Sequence, residues 1–231
     1  MQKSVVLLAG FLALGALFRS APASELSREE ILGTFNSHYV GRYKEFIEEN
    51  RRLRHVVFLG DSLTQQFDVK RHFPGKPVLN RGVGGDTIGI RGKKSGVLHR
   101  LDVSVFDCHT THVFVLIGVN EFWAPRPIEE MMAAYRQVIE TIQARVPGVT
   151  LHVQSLLPTR DSFARFNPGI VEFNKHLRPL AESLHCDFID LHPLFADEKG
   201  ELRSEFSKDG IHLTPAAYKV WKTRVDEAMG W

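Results

Sequence analysis

The sequence predicts an α/β fold in which a parallel sheet is covered by helices on both faces. Three observations carry this expectation. Five short apolar runs recur along the chain, separated by stretches whose apolar residues repeat at helical spacing. The runs are continuous rather than alternating, as in strands buried on both faces. The polar residues with chemical potential gather just after these runs, where open α/β sheets place their ligands.

The 231 residues, 43% apolar and 24% charged, suit one globular domain with a full core. Residues 1–23 stand apart. Met1-Gln2-Lys3 gives a positive start, Ser4 to Phe18 carries no charge, and Ala21-Pro22-Ala23 supplies an A-x-A pattern. This reads as a secretory signal peptide cleaved before Ser24, leaving 24–231 as the working domain. Its apolar run is short for a spanning helix. An exported protein, periplasmic or secreted, is therefore expected, with no stable membrane span after cleavage. Loss of Lys3 and Arg19 lowers Lys plus Arg from 29 to 27, equal to the 27 Asp plus Glu. A neutral chain gives no electrostatic case for a nucleic-acid partner. Cys108 and Cys186 each precede an expected strand, and they are expected as buried free thiols, since a bridge would need those strands to be neighbours.

The elements follow in order. Ser27-Arg28-Glu29-Glu30 has the form of a capping box. It opens a helix carrying Leu32, Phe35, Tyr39, Tyr43, Phe46 and Ile47, expected to pack across the sheet. Strand one, Val56 to Leu59, runs into Gly60-Asp61-Ser62, and a helix is expected from Ser62 until Pro74-Gly75. Pro77 to Asn80 forms strand two, followed by Arg81-Gly-Val-Gly-Gly-Asp-Thr87, in which Asp86 or Thr87 is placed to cap the next helix. Strand three, His112 to Ile117, ends at Gly118-Val119-Asn120-Glu121. Ile128, Met131, Tyr135, Val138, Ile142 and Val146 mark one face of a helix that Pro147-Gly148 stops. Strand four is Thr150 to Leu156, and its exit loop reaches Phe166. Asn167-Pro168 starts a helix. Strand five is Phe188 to Leu191. A long loop leads to Asp209-Gly210-Ile211-His212, and Thr214-Pro215 opens a last helix with Tyr218, Trp221, Val225 and Met229 inward.

Taken singly, the polar stretches have ordinary readings. Ser62 suits a helix cap. Gly82, Gly84 and Gly85 suit a tight turn, and a dinucleotide fingerprint fails because residue 87 is Thr87. No second glycine follows Ser62 to make a nucleophile elbow. His212 is one of 11 histidines. Together they fit acyl transfer. Ser62 attacks, His212 accepts its proton, and Asp209 holds the imidazole. The N–H groups of Ser62 and Gly85 and the side-chain amide of Asn120 serve as oxyanion donors.

Gly60-Asp61-Ser62-Leu63, Asn80-Arg-Gly-Val-Gly-Gly-Asp-Thr87, Gly118-Val119-Asn120 and Asp209-Gly210-Ile211-His212 resemble, in order, the four blocks of the GDSL or SGNH hydrolases. The glycine block is most similar to the branch holding platelet-activating-factor acetylhydrolase catalytic subunits and bacterial acyl esterases. The resemblance implies a three-layer α/β/α sandwich of flavodoxin-like type, a Ser62–His212–Asp209 triad, and no metal or other cofactor. Glu121 departs from the aspartate the family often has there.

The resemblance and the absence of a long amphipathic lid point to short-chain carboxylic esters, acetyl esters of carbohydrates first, with lysophospholipase or thioesterase activity second. Asp61, Trp123, Arg160 and Phe163 are the expected substrate-contacting groups, with Phe122, Arg126, Arg165 and Phe166 on the same loops. Two other classes compete. A metal-dependent phosphoesterase would draw ligands from Asp61, Asp86, Asn120, Asp209 and His212. A non-catalytic carbohydrate-binding protein would be expected to lack a triad member.

Overall fold

The computed structural model describes residues 36–50, 55–89, 96–124 and 126–231. The expected signal segment and the Ser27–Glu30 capping box lie outside them.

The five apolar runs form β1 (Val56–Gly60), β2 (Val78–Gly82), β3 (His112–Leu116), β4 (Thr150–Gln154) and β5 (Asp187–Ile189). All pair in parallel, in the order β2-β1-β3-β4-β5. The described helices are α1 (Ser37–Glu49), α2 (Ser62–Gln65), α3 (Val69–His72), α4 (Leu101–Ser104), α5 (Ile128–Arg145), α6 (Asn167–Ser183), α7 (His192–Phe195) and α8 (Pro215–Met229). This is the three-layer α/β/α arrangement with flavodoxin-like strand order. The order reverses at β1, which opens a crevice beyond its C-terminal end. There Gly60 lies level with Gly82 on one side and Leu116 on the other.

Side chains alternate between two cores. Val57, Leu59, Val113, Val115, Leu151 and Val153 pack with Tyr135, Val138, Phe173 and Leu177 of α5 and α6. Val56, Phe58, Phe114 and Leu116 face the other way, against Phe67, Phe195, Tyr218 and Trp221. Phe58 lies 5.1 Å from Phe114 and 5.5 Å from both Phe67 and Phe73. Full burial of a ring of this size contributes about 2–3 kcal/mol relative to exposure.

Several expectations are corrected. The helix after Ser62 breaks in two. Asn80 Nδ2 donates to the carbonyls of Thr64 (2.6 Å) and Phe67 (2.8 Å), which ends α2, and Asp68 then caps α3 by accepting from Arg71 N–H. Helix α1, capped by Asn36, does not cross the sheet. Its Tyr39, Tyr43 and Phe46 pack with Val83 and Val103 as a separate small cluster. Arg42 on α1 donates to the carbonyls of Gly82 (3.2 Å) and Asn80 (3.4 Å). The helix thus covers the free edge of β2, which would otherwise invite pairing with another chain. Strand β2 runs on to Gly82, beyond the expected end at Asn80, while β4 stops at Gln154 and β5 starts one residue early. Cys108 and Cys186 are buried and unbridged. They precede β3 and β5, which β4 separates.

His152 on β4 provides a test of this packing. Its ring stacks on Phe114 at 4.2 Å, bonds to His112 Nδ1 at 3.0 Å and lies 3.1 Å from Asp187. Burial lowers its pKa to about 4, with Asp187 opposing and His112 assisting. An unfolded histidine titrates near 6.5. A depressed folded value means this stability is present above 6.5 and is lost as pH falls toward 4. Urea unfolding of wild type and His152→Phe at pH 7 and pH 4 should show wild type losing roughly 2 kcal/mol more. Equal losses would show that another group takes up the proton.

Candidate active site

The C-terminal end of β1 sets the site. A Cβ on Gly60 would meet Thr64 Oγ1 at 2.2 Å and the Leu116 carbonyl at 2.3 Å, so only glycine lets the chain turn here against β3. Asp61 then caps α2, its Oδ1 accepting from Leu63 N–H at 2.9 Å. Ser62 follows as the first helical residue, and its side chain lies at the sheet edge.

The His212 turn arrives 150 residues later. Ser62 Oγ stands 3.0 Å from His212 Nε2, and His212 Nδ1 stands 2.7 Å from Asp209 Oδ2. The other Asp209 oxygen accepts from the N–H groups of Ile211 (3.0 Å) and His212 (2.8 Å). Burial raises the Asp209 pKa, but the bonds from the His212 ring and these two N–H groups outweigh it and hold the carboxyl at about 2. An ionised carboxylate beside Nδ1 places the ring proton there and leaves Nε2 to accept from Ser62. Gly210, at φ +92, has no room for a side chain: a Cβ would lie 2.6 Å from the Arg160 carbonyl. Ser207 Oγ donates to the His212 carbonyl and accepts from Gly210 N–H, which closes the turn.

The glycine loop faces this pair. Gly85 adopts φ +76, and the space where a side chain would project is open. Its N–H meets no protein acceptor among the described residues. Asn120 donates one amide hydrogen to the Asp86 carbonyl at 2.8 Å, which leaves the second for another acceptor. Gly84 N–H donates to Gln65 Oε1 at 2.6 Å, fastening the loop to α2. The structure therefore gathers Ser62, Gly85, Asn120, Asp209 and His212 at one edge.

Asp86 does not cap a helix. Its carboxylate lies 2.7 Å from Arg100 Nε, and both side chains are fully buried. Arg100 also donates to the carbonyls of Gly60 (2.9 Å) and Arg81 (2.8 Å) and to Ser104 Oγ (2.9 Å). One guanidinium thus ties together the ends of β1 and β2 and the glycine loop. Sequence reasoning missed it. The available signal was a lone arginine amid Val97, Leu98, Leu101 and Val103, an apolar stretch that could not leave a cation unpaired.

Glu121 does more than lengthen the usual aspartate. Oε1 accepts from Ile88 N–H at 2.8 Å, and Oε2 lies 3.1 Å from Arg126 Nη1, with both side chains buried. Arg126 is thereby withdrawn from the expected pocket wall. Asp61 is corrected likewise. Its side chain is fully buried, burial pushes its pKa up to about 7, and Oδ2 has no hydrogen-bond partner among the described residues, so it braces the turn away from any substrate. Trp123 is 57% exposed, and Phe163 is half-buried against it. Arg160 turns away, donating to the Leu202 carbonyl and pairing with Asp161, while its N–H donates to the Gly210 carbonyl at 2.9 Å.

Among the described residues, no group of three or more His, Cys, Asp and Glu side chains is arranged to hold a metal ion. Two of the carboxylates named for such a site are engaged elsewhere: Asp86 is committed to Arg100 and Asp61 is turned inward. Among the same residues, no helix is long and apolar enough to cross a membrane.

Comparison with known proteins agrees with this fold. No curated protein matches the chain significantly. Solved structures do. A protein of Streptococcus pneumonia provisionally described as a platelet activating factor superposes with a TM-score of 0.73 at 21% identity, covering 82% of this chain and 91% of its own. A GDSL-like lipase from Bacteroides thetaiotaomicron gives 0.69 at 19%, covering 81% and 97%. An acetylxylan esterase from Geobacillus stearothermophilus gives 0.60 at 17%, covering 77% and 94%. These likenesses establish the fold. The model of the GDSL-like lipase/acylhydrolase family matches residues 58–220, from the nucleophile-side strand to the last helix, and the chain belongs to that family.

Proposed function

We propose that the protein is a serine carboxylic-ester hydrolase that removes short acyl groups, acetyl first, from carbohydrate esters. The observation that carries this reading is the Ser62–His212–Asp209 relay, at 3.0 and 2.7 Å, facing the free donors of Gly85 and Asn120. Ser62 Oγ attacks the ester carbonyl while His212 Nε2 takes its proton. The developing oxyanion is met by the N–H groups of Ser62 and Gly85 and the second amide hydrogen of Asn120. As the C–O bond breaks, His212 returns the proton to the departing alcohol, leaving an acyl ester on Ser62. Water, deprotonated by the same imidazole, then releases the acid. Asp209 remains ionised throughout and orients the ring. The acetylxylan esterase with the same fold supports an acetyl substrate, and the open surround of the site suits a small acyl group. The character of residues 1–23 supports action outside the cytoplasm, in periplasm or medium.

Ser62→Ala should lower hydrolysis of p-nitrophenyl acetate by at least about 10³-fold with an unchanged circular dichroism spectrum. Retention of the wild-type rate would refute the assignment of Ser62. Asn120→Ala should cost about 10²–10³ in kcat, with little change in KM. A phosphonate directed at serine should inactivate the enzyme and a chelator should not. The opposite pattern would favour the metal-dependent phosphoesterase.

The Asp209 value of about 2 fixes the form of the acid limb. A depressed carboxyl keeps its charge until pH falls near that value, so Asp209 adds no protonation step to the limb above it. The logarithm of kcat/KM should then rise with unit slope on the acid side. A slope of two would show a second required group. Across p-nitrophenyl esters of two to twelve carbons, the maximum should fall at two to four, and a maximum at long chains would overturn the acetyl preference.

A further inference from the structure

Trp123 packs on two rings yet stays outside the core. Its neighbour Phe122 turns inward toward Phe166 and Phe173, where it fills the space a side chain on Gly169 would need. Trp123, next along the same tight turn that begins at Val119 and carries Asn120, is left outside with 57% of its surface exposed. Phe163 and Phe166 stand 5.5 Å from it, at 72° and 70° to its plane. Arg165 reaches over all three rings, its guanidinium carbon 4.7 Å from the centre of Phe166 and 5.7 Å from that of Trp123. Arg165 is exposed and makes no ion pair among the described residues, whereas Arg160 beside it is paired with Asp161. The result is an aromatic shelf with one uncompensated positive charge.

The shelf has a definite position relative to the chemistry. The Arg160–Phe163 segment lies directly on Gly210: Arg160 N–H donates to the Gly210 carbonyl, and a Cβ at Gly210 would be 3.1 Å from the Phe163 ring. Gly210 sits between Asp209 and His212. On the reading above, His212 returns its proton to the departing alcohol, so the alcohol lies on the His212 side of the site. The shelf therefore borders the leaving group, not the acyl group.

We propose that Trp123, Phe163 and Arg165 form a subsite for the alcohol moiety, and that this moiety is a sugar ring bearing a carboxylate, an O-acetylated uronic acid. The C–H groups on one face of a pyranose pack on an exposed indole, while its hydroxyls stay in water, which an open shelf permits. An acyl chain would need an enclosed apolar wall. The guanidinium donates to the Ser162 carbonyl but meets no carboxylate among the described residues, so it favours an anionic ring over a neutral one. This subsite rests on the esterase reading, and its test separates the two.

The probes are the methyl glycoside of 2,3,4-tri-O-acetyl-glucuronic acid with its carboxyl free, methyl tetra-O-acetyl-glucoside, and ethyl acetate. Ethanol is too small to reach the shelf, whereas a p-nitrophenyl ring would itself rest on it. In Trp123→Ala, the ratio of kcat/KM for the sugar acetates to that for ethyl acetate should fall about tenfold. In Arg165→Gln, the preference of the uronate over the glucoside should fall about fivefold and lose its salt dependence. A Trp123→Ala ratio within twofold of wild type overturns the subsite, whether the two rates fall together or neither falls. A wild-type enzyme with no preference for the uronate overturns the role of Arg165. If the wild type hydrolyses none of the three, the esterase reading fails, and calorimetric titration of the uronate into Ser62→Ala and Ser62→Ala/Trp123→Ala decides the subsite alone. Weaker binding by fivefold or more in the double variant supports it, and equal or absent binding overturns it.

Discussion

The Arg100–Asp86 ion pair is the contact on which the site's geometry depends. Both side chains are fully buried, and the guanidinium spends its remaining donors on the Gly60 and Arg81 carbonyls and on Ser104. Those carbonyls close β1 and β2, the strands that end at the nucleophile turn and the glycine loop. The Asp86 carbonyl, one atom group away, accepts the Asn120 amide. A single cation therefore sets the distance between the loop that carries Gly85 and the strand that delivers Ser62. Breaking such a pair by removing one partner leaves an uncompensated buried charge, at a cost of about 3–5 kcal/mol. That penalty makes the arrangement unforgiving, which suits a site whose donors must be held within a few tenths of an ångström.

Around this centre the protein repeats one device: buried polar side chains hold loop backbone where no ladder can. Asn80 collects the last carbonyls of α2, Glu121 holds Ile88 N–H, and Asn167 and Asn174 bond in both directions to Thr159 and Leu156 beyond β4. Tyr218 on α8 donates to the Leu63 carbonyl at 2.7 Å. Each lies at the C-terminal edge of the sheet. Farther from that edge, half-buried His112 begins β3 and buried His152 sits in the middle of β4, where the two rings serve packing.

The strands were legible because burial on both faces demands continuous apolar runs, and Val56 to Leu59 or His112 to Leu116 admit no helical reading. Three of the five residues brought together at the edge were legible for a related reason. Polar groups just after buried strands must find partners, and Ser62, Gly85 and Asn120 lie there, whereas Asp209 and His212, at the end of a long loop after β5, were legible through the block they share with the GDSL hydrolases. What stayed hidden were pairings between a strand end and a region without periodicity. Arg100 pairs with Asp86 across 14 residues and Arg81 with Glu49 across 32, so local pattern says nothing of either, and Asp86 was misread as a cap for that reason. The break between α2 and α3 was equally invisible, since it is imposed by Asn80 from another strand. Asp61 was assigned to the pocket because it adjoins Ser62, but a turn sends adjacent side chains in opposite directions.

The separation of Ser62 from His212 bears on the order in which the molecule is made. The serine and its strand are made early, and the imidazole that its hydroxyl meets is encoded 150 residues later. Helix α8 follows the His212 turn and carries Trp221 onto Gln154 and Tyr218 onto Leu63, the residue beside the serine. Until the His212 turn has been made, Ser62 is a hydroxyl at the end of a strand with no imidazole to meet. All five strands are therefore complete before Ser62 and His212 can come together, and a chain cut just after β5 would hold the whole sheet without that contact.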